Sequence, residues 1–298
     1  MAYDSLTQGA MQRTQAIVAA LAVGWSVGCA FDGSQLDFTI DPDAETRCEV
    51  MPDHVRCDHV TITIATGALG LAAREVHFMH PVGEAPAAGW PVVILFQGSL
   101  HPADGFFEGD AADEYGGLNQ ARVVAALLDA GYATLAPDAR YDGATYWDTN
   151  VVPYNVAWDT SEDHQLMVEL FRLIEDGELG PLDASHLYAT GISSGGYMTS
   201  RMAVSYPGRF DALAIQSASY ATCAGALCDV PELPADHPPT LFLHGAMDDI
   251  VPIDTAHAYE TKLEGQGTEV RFVEDGEARH EWLDAAPEEI VGWFGGHR

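Results

Sequence analysis

One stretch near the middle of the chain leaves little freedom in how it can fold. Residues 187–190 (Leu-Tyr-Ala-Thr) are a short run of strand type, and Gly191-Ile192-Ser193-Ser194-Gly195 follows directly. A helical pattern then runs to about Tyr206, where Pro207-Gly208 stops it. A serine between two glycines at such a junction implies a sharp, strained turn. A Cβ on Gly191 or Gly195 would crowd the strand against the helix, and Gly196 adds further room. Such a turn fits a helix that folds back onto a buried strand, so the segment predicts one βα unit of a parallel sheet.

The remainder of the chain repeats that alternation. Residues 60–64 and 75–78 read as leading strands, and residues 91–96 (Pro-Val-Val-Ile-Leu-Phe) as a buried one. Residues 118–130 place Val123, Val124, Leu127 and Leu128 on one helical face, end at Gly131, and lead into a strand at 132–137. Thr160 or Ser161 can cap a helix carrying Leu166, Leu170, Leu173 and Ile174, which Asp176-Gly177 stops. Strands at 212–216, 240–243 and 269–273 follow with helical segments between them, one of them capped by Asp254. The pattern predicts an α/β fold, with a mostly parallel sheet, helices on both faces and no large cap domain. No internal repeat or low-complexity tract interrupts it, and 298 residues, 47% of them hydrophobic, suit one large domain.

Residues 1–29 stand outside this pattern. Residues 16–23 read Ala-Ile-Val-Ala-Ala-Leu-Ala-Val, preceded by Arg13 and followed by Gly-Trp-Ser-Val-Gly-Cys, the layout of a secretory signal. The run is too short to span a bilayer. Asp4 is out of character ahead of it and points to Met11 as the start of translation. Val27-Gly28-Cys29 resembles the end of a bacterial lipobox, with Ser26 where an aliphatic residue is usual, so Cys29 is the candidate for lipidation and membrane attachment. The expected location is secreted, periplasmic or lipid-anchored at a bacterial surface. Residues 30–47 are polar and acidic and read as a tether, leaving 48–298 as the folded domain.

The cysteines agree with that compartment. Setting Cys29 aside leaves two close pairs, Cys48 with Cys57 and Cys223 with Cys228. Each would close a short loop and contribute about 2–3 kcal/mol as a disulfide. Neither pair has CxxC spacing, and His54, His59, His77 and His80 alternate in direction along a predicted hairpin, so no metal is expected. With 13 Lys+Arg against 45 Asp+Glu, the formal net charge of −32 excludes a nucleic-acid partner and favours an uncharged substrate.

A serine hydroxyl is a weak nucleophile that needs a histidine base, itself oriented by an acid. After the strand at 240–243 comes His244-Gly245-Ala246-Met247-Asp248-Asp249-Ile250-Val251-Pro252, which places an aspartate at the carboxyl edge of the sheet. Asp248 is the first choice and Asp249 the alternative. Of the histidines that follow, His257 falls in a helical pattern and His297 lies at a terminus expected to fray. His280, in the loop after the strand at 269–273, is therefore the candidate base. Backbone donors for a developing oxyanion are expected from Ser194 and from Ser99 in the turn Gln97-Gly98-Ser99. A second glycine-flanked serine, Ser26 in Gly24–Gly28, has no strand before it and is set aside. The aromatic stretch Tyr141, Tyr146, Trp147, Tyr154 and Trp158 lies on a loop at the same edge. Tyr146, Trp147 and Trp158, with Trp282, are candidates to line a substrate pocket, the alternative being that they pack the loop onto the body. Tyr197 and Met198 read as core.

In this order, Gln-Gly-Ser, Gly-Ile-Ser-Ser-Gly-Gly-Tyr-Met, Leu-His-Gly-Ala-Met-Asp-Asp-Ile-Val-Pro and His-Glu-Trp resemble the α/β-hydrolase superfamily. Within it, the chain is similar to secreted polyhydroxybutyrate-depolymerase-like and feruloyl-esterase-like carboxylesterases over roughly residues 74–295. The resemblance implies ester hydrolysis through an acyl-enzyme by Ser193, Asp248 and His280, with no cofactor, on small-molecule or polymeric esters. Many relatives carry His-Gly where this chain has Gln97-Gly98, and residues 30–73 have no counterpart. No separate polymer-binding domain is visible, which weighs against action on solid polyester. The rival readings are a prolyl-oligopeptidase-like peptidase, which usually brings a propeller or cap domain, and a non-catalytic surface binding protein on a hydrolase scaffold.

Overall fold

The computed structural model describes residues 38–66, 72–140 and 146–298. The leader, Cys29, Ser26, Tyr141 and the first part of the tether lie outside the described residues. Strands β1 (Cys48–Val50) and β2 (His54–Cys57) join a third short strand, Glu108–Asp110, in a small antiparallel sheet. The main sheet is built from β3 (Val60–Thr66), β4 (Ala72–Met79), β5 (Trp90–Phe96), β7 (Ala133–Pro137), β8 (Leu182–Ile192), β9 (Ala212–Gln216), β10 (Thr240–Gly245) and β11 (Val270–Asp275), the short strand at 108–110 being β6. Its spatial order is β11-β10-β9-β8-β5-β7-β4-β3. The six strands from β11 to β7 are parallel, and β4 and β3 add an antiparallel edge.

Alternation along the strands sorts the core into two layers. Val93 and Leu95 of β5 point toward α1 (Gly117–Asp129) and α5 (Ala286–Gly295), meeting Val123, Leu127, Ile290 and Phe294. Val92, Ile94 and Phe96 point the other way, against Leu166, Leu170 and Ile174 of α2 (Glu162–Glu175) and Met198 and Met202 of α3 (Ser194–Ser205). At the far end α4 (Ile253–Gln266) places Tyr259 and Leu263 over Ile215 and Phe242. A strand buried on both faces reads as a continuous apolar run, which is why residues 91–96 stood out in the sequence. Ser161 caps α2, its hydroxyl accepting the His164 amide at 3.0 Å.

Three expectations change. Residues 38–47 do not hang free as a tether, because Phe38 meets Phe78 edge-on at 5.0 Å and the buried Arg47 donates to the His80 carbonyl at 2.9 Å and the Asp41 carbonyl at 2.6 Å. The packed body therefore starts ahead of residue 48. Asp254 is not the cap of α4, which starts with Pro252 at that position. Asp254 sits instead in the first turn, where its carboxylate faces the positive end of the helix. His297 is held rather than frayed: Nδ1 donates to the Trp293 carbonyl at 2.8 Å, and its own carbonyl accepts the Tyr188 hydroxyl at 3.0 Å. Both predicted disulfides are formed, Cys48–Cys57 and Cys223–Cys228.

Candidate active site

β8 ends at Ile192 and α3 begins at Ser194, so Ser193 alone makes the bend between them. Its φ of 56° and ψ of −122° are costly for a residue with a Cβ. The surroundings fix it there: its amide donates to the Gln216 carbonyl at 3.1 Å and its carbonyl accepts the Tyr197 amide at 3.0 Å. The glycines serve the close approach of β5. A Cβ on Gly191 would lie 2.5 Å from the Phe96 carbonyl oxygen, and one on Gly195 only 1.9 Å from it.

The loop after β10 carries Asp248 to the same edge. Its Oδ1 accepts the amides of Ile250 (2.9 Å) and Val251 (2.8 Å), and its Oδ2 accepts Nδ1 of His280 at 2.8 Å, with His244 Nε2 3.3 Å away. Burial opposes ionisation of Asp248, but hydrogen bonds from His244, His280 and the Val251 amide outweigh it and hold the carboxyl well below the ordinary carboxylate range. An ionised carboxylate only accepts, so Nδ1 of His280 carries the proton of the neutral ring and Nε2 keeps a lone pair. Asp249 does something else: it is exposed and pairs with Arg279 at 3.3 Å.

The loop bearing His280 is fastened by a residue the sequence reading passed over. Gln216, fully buried at the end of β9, donates from Nε2 to the carbonyls of Glu281 (2.8 Å) and Leu243 (3.0 Å). Ser217 adds a bond from Oγ to the Glu281 carbonyl at 3.2 Å. A glutamine closing the otherwise apolar strand Ala-Leu-Ala-Ile-Gln was the available signal.

Ser193 and His280 line one cavity of about 460 Å³, together with Ser99, Leu100, Tyr115 and Ile250. Ser99 lines the same cavity as Ser193, and Ser194 supplies the first amide of α3, a group with no partner inside its own helix. The aromatic residues fare differently. Trp147 is fully buried under the Gln97-Gly98-Ser99 turn, donating from Nε1 to the Gln97 carbonyl at 3.1 Å and from its amide to Ser194 Oγ at 3.0 Å. Trp158 is buried too, with Nε1 on Tyr206 Oη at 3.2 Å and the Arg201 guanidinium 5.2 Å over its ring. Neither lines the cavity, because each indole N–H finds its acceptor inside the body. Tyr146 is exposed and does not line it either, and Trp282 borders an adjoining hollow. The large apolar side chains that do line the cavity of Ser193 are Leu100, Tyr115, Ile192 and Ile250. Among the described residues, Glu75, His77 and Asp138 bring potential ligand atoms within 4.8 Å of one another. There His77 Nδ1 meets Thr61 Oγ1 at 2.9 Å and Nε2 lies 4.0 Å from both carboxylates.

No family model matches the chain. The poly(3-hydroxyoctanoate) depolymerase of Pseudomonas fluorescens is 43% identical over 261 residues, covering 85% of this chain and 92% of that protein. Among solved structures, a Bacteroides ovatus protein assigned as a dipeptidyl aminopeptidase IV superposes with a TM-score of 0.60 at 16% identity, over 81% of this chain but 36% of that one. The S-formylglutathione hydrolase of Staphylococcus aureus gives 0.58 at 13% identity, over 80% and 98%. At such identities the structures speak for the fold alone. The sequence relative, matched over most of both chains, carries more: this chain belongs to the poly(3-hydroxyoctanoate) depolymerase family of α/β-hydrolases and is a carboxylic ester hydrolase.

Proposed function

We propose that the chain is an extracellular serine esterase that cleaves uncharged hydroxyalkanoate esters, with a polyester bearing medium-length alkyl side chains as its substrate. The observation that carries the serine chemistry is the 2.8 Å bond from His280 to Asp248, in a loop that brings His280 to the cavity of Ser193. In this reading Nε2 of His280 takes the Ser193 hydroxyl proton as Oγ attacks the ester carbonyl. The oxyanion accepts the amides of Ser99 and Ser194. The intermediate collapses, the alcohol leaves with the proton from His280, and water repeats the sequence on the acyl-enzyme to release the acid and free Ser193. Asp248 holds the histidine in the required tautomer throughout, and no cofactor enters.

The polyester part of the reading is supported by the named activity of the Pseudomonas fluorescens relative and by the net charge of −32, which disfavours anionic substrates. The extracellular part is supported by the leader at residues 1–29 with Cys29 as lipidation candidate, and by the disulfides Cys48–Cys57 and Cys223–Cys228. No helix among the described residues is long and apolar enough to cross a membrane.

The test is hydrolysis of a p-nitrophenyl ester series from acetate to laurate, of methyl ferulate, and of a poly(3-hydroxyoctanoate) latex, with Ser193→Ala alongside. Turnover of the alkyl esters and clearing of the latex, both abolished in Ser193→Ala, is the expected result. Turnover that survives in Ser193→Ala sinks the serine mechanism, and a latex left intact by an enzyme active on soluble esters removes the polyester.

A further inference from the structure

Tyr115 stands where three hollows of the surface meet. One is the cavity of about 460 Å³ that holds Ser193 and His280. A second, of about 320 Å³, shares Gly98, His101 and Ile192 with it and is walled by Trp282 and Gln120. The third opens toward Asp249 and Arg279. Both of the first two fall in the size range of ligand-binding clefts.

The backbone around Tyr115 is specialised for holding it there. Its φ is 57°, a left-handed value that a tyrosine adopts only at a cost. Its carbonyl accepts the Trp282 amide at 2.9 Å. Gly116 and Gly117 follow, and a Cβ on them would lie 2.5 Å from the Trp282 carbonyl oxygen and 2.7 Å from Asp113 Cβ. Burial does not explain that expense, since Tyr115 is 42% exposed. Its ring stands edge-on to His280 at 6.0 Å and to His101 at 5.5 Å, forming a wall between the hollows. Strain kept at a partly exposed position beside a reactive histidine points to a use.

The second cavity takes no part in the proton transfers assigned to Ser193, His280 and Asp248. Trp282, Pro102 and Ile192 give it apolar walls, while Glu108, Asp113 and Glu114 line it with carboxylates. An uncharged alkyl chain can occupy such a space, and an anionic one is repelled.

We propose that this 320 Å³ cavity is a second subsite, which takes the alkyl chain of a medium-chain acyl ester, and that Tyr115 is the partition that limits how much of it a bound chain reaches. The proposal rests on the reading of Ser193 as the nucleophile. It makes Tyr115 a specificity-determining residue and assigns the phenyl ring, rather than the hydroxyl, to that role.

The experiment compares kcat/KM on p-nitrophenyl butyrate, octanoate and laurate, below their micellar concentrations, in the full-length protein. Tyr115→Ala opens the partition and is expected to raise the laurate-to-butyrate ratio at least fivefold, mostly through KM. Tyr115→Phe keeps the wild-type ratio. Gly105 also lines this cavity, and a Cβ on it has only Gln120 Nε2 near it, at 3.9 Å, so Gly105→Leu is expected to fill the space and lower the octanoate- and laurate-to-butyrate ratios at least fivefold. Thermal unfolding of each variant checks that the fold is kept. The proposal is overturned if the ratio stays within twofold of wild type in either Tyr115→Ala or Gly105→Leu. Failure of the underlying reading has another signature, since Ser193→Ala would then hydrolyse the whole series as wild type does.

Discussion

Asp248 and Asp249 are neighbouring carboxylates on one loop, yet a single step along the backbone sends them to different partners. Asp248 takes two loop amides and His280, while Asp249 reaches solvent and Arg279. Asp248→Asn should therefore lower kcat on p-nitrophenyl butyrate by about 10³–10⁴-fold, because an amide stabilises the wrong tautomer of His280. Asp249→Asn should stay within twofold. Equal losses would hand the role to Asp249. The same substitution bears on stability. The Asp248 carboxyl is held below its ordinary value of 3.8, so its ionised form stabilises the fold above that pH, and the contribution is lost only as pH falls further. The deficit of Asp248→Asn in thermal unfolding should be constant from pH 7 to about 4 and shrink in more acidic solution. That Asp248 and His280 come to one edge of the sheet and meet was legible because each follows a segment that reads as a strand. The sequence left Trp147 and Trp158 open between two roles, because an aromatic residue on an edge loop serves equally well as pocket wall or as loop anchor. What decides is the acceptor its N–H finds, and Gln97 and Tyr206 are distant in sequence. Tyr115 and Leu100 left no mark at all, since a positive φ at a non-glycine residue is imposed by tertiary contacts.

The elements that were read well are those long enough to carry a pattern. β5 and β9 announce themselves as apolar runs, and α2 as a face of Leu166, Leu170 and Leu173 behind a serine cap. β1, β2 and β6 are three or four residues each, too short for periodicity to register. Nor did the pattern reveal that α2 is tied to β4 by the buried Arg74–Asp163 pair, because ion pairing 89 residues apart has no local signature. At the junction of β5, β8 and α3, spacing between elements decides what a methyl group does. In Gly195→Ala the new carbon would fall 1.9 Å from the Phe96 carbonyl oxygen, forcing backbone apart from backbone. That variant should lose more than about 4 kcal/mol or fail to accumulate as folded protein. In Gly98→Ala the carbon would lie 3.3 Å from Ile192 Cγ2 and 3.8 Å from Ser193 Cβ, an approach that small side-chain shifts relieve. Gly98→Ala should fold with a melting temperature close to wild type but lose on the order of tenfold in kcat, because the crowded turn carries the proposed Ser99 donor. Melting temperature and steady-state kinetics on the two proteins separate these outcomes. A Gly195→Ala protein as stable as wild type would show that β5 and α3 do not approach so closely.

For the molecule as a whole, charge and buried histidines set the working conditions. Burial pushes both His80 and His237 down to about 4 from 6.5. Above pH 6.5 these groups are neutral in both states and contribute nothing. Below it the unfolded chain binds protons that the folded chain refuses, so stability falls from pH 6.5 to about 4, by on the order of a few kcal/mol for each group. Chemical denaturation in 0.5 M NaCl should show that fall, and His237→Gln should flatten part of it. The high salt matters because the 45 acidic residues, offset by only 13 basic ones, also repel one another, and screening beyond about a Debye length removes most of that effect. The same field acts on what approaches the site. Glu114, Asp249 and Glu281 line the hollow that adjoins His280, with Arg279 as the cation beside them. An uncharged octanoate ester crosses this field without penalty, whereas the mono-p-nitrophenyl ester of suberic acid, of similar length but ending in a carboxylate, does not. Its kcat/KM should be at least tenfold below that of p-nitrophenyl octanoate at 20 mM ionic strength, and the gap should narrow several-fold in 0.5 M NaCl. A gap that ignores salt would mean that desolvating the carboxylate inside the apolar pocket, rather than long-range repulsion, is what rejects it.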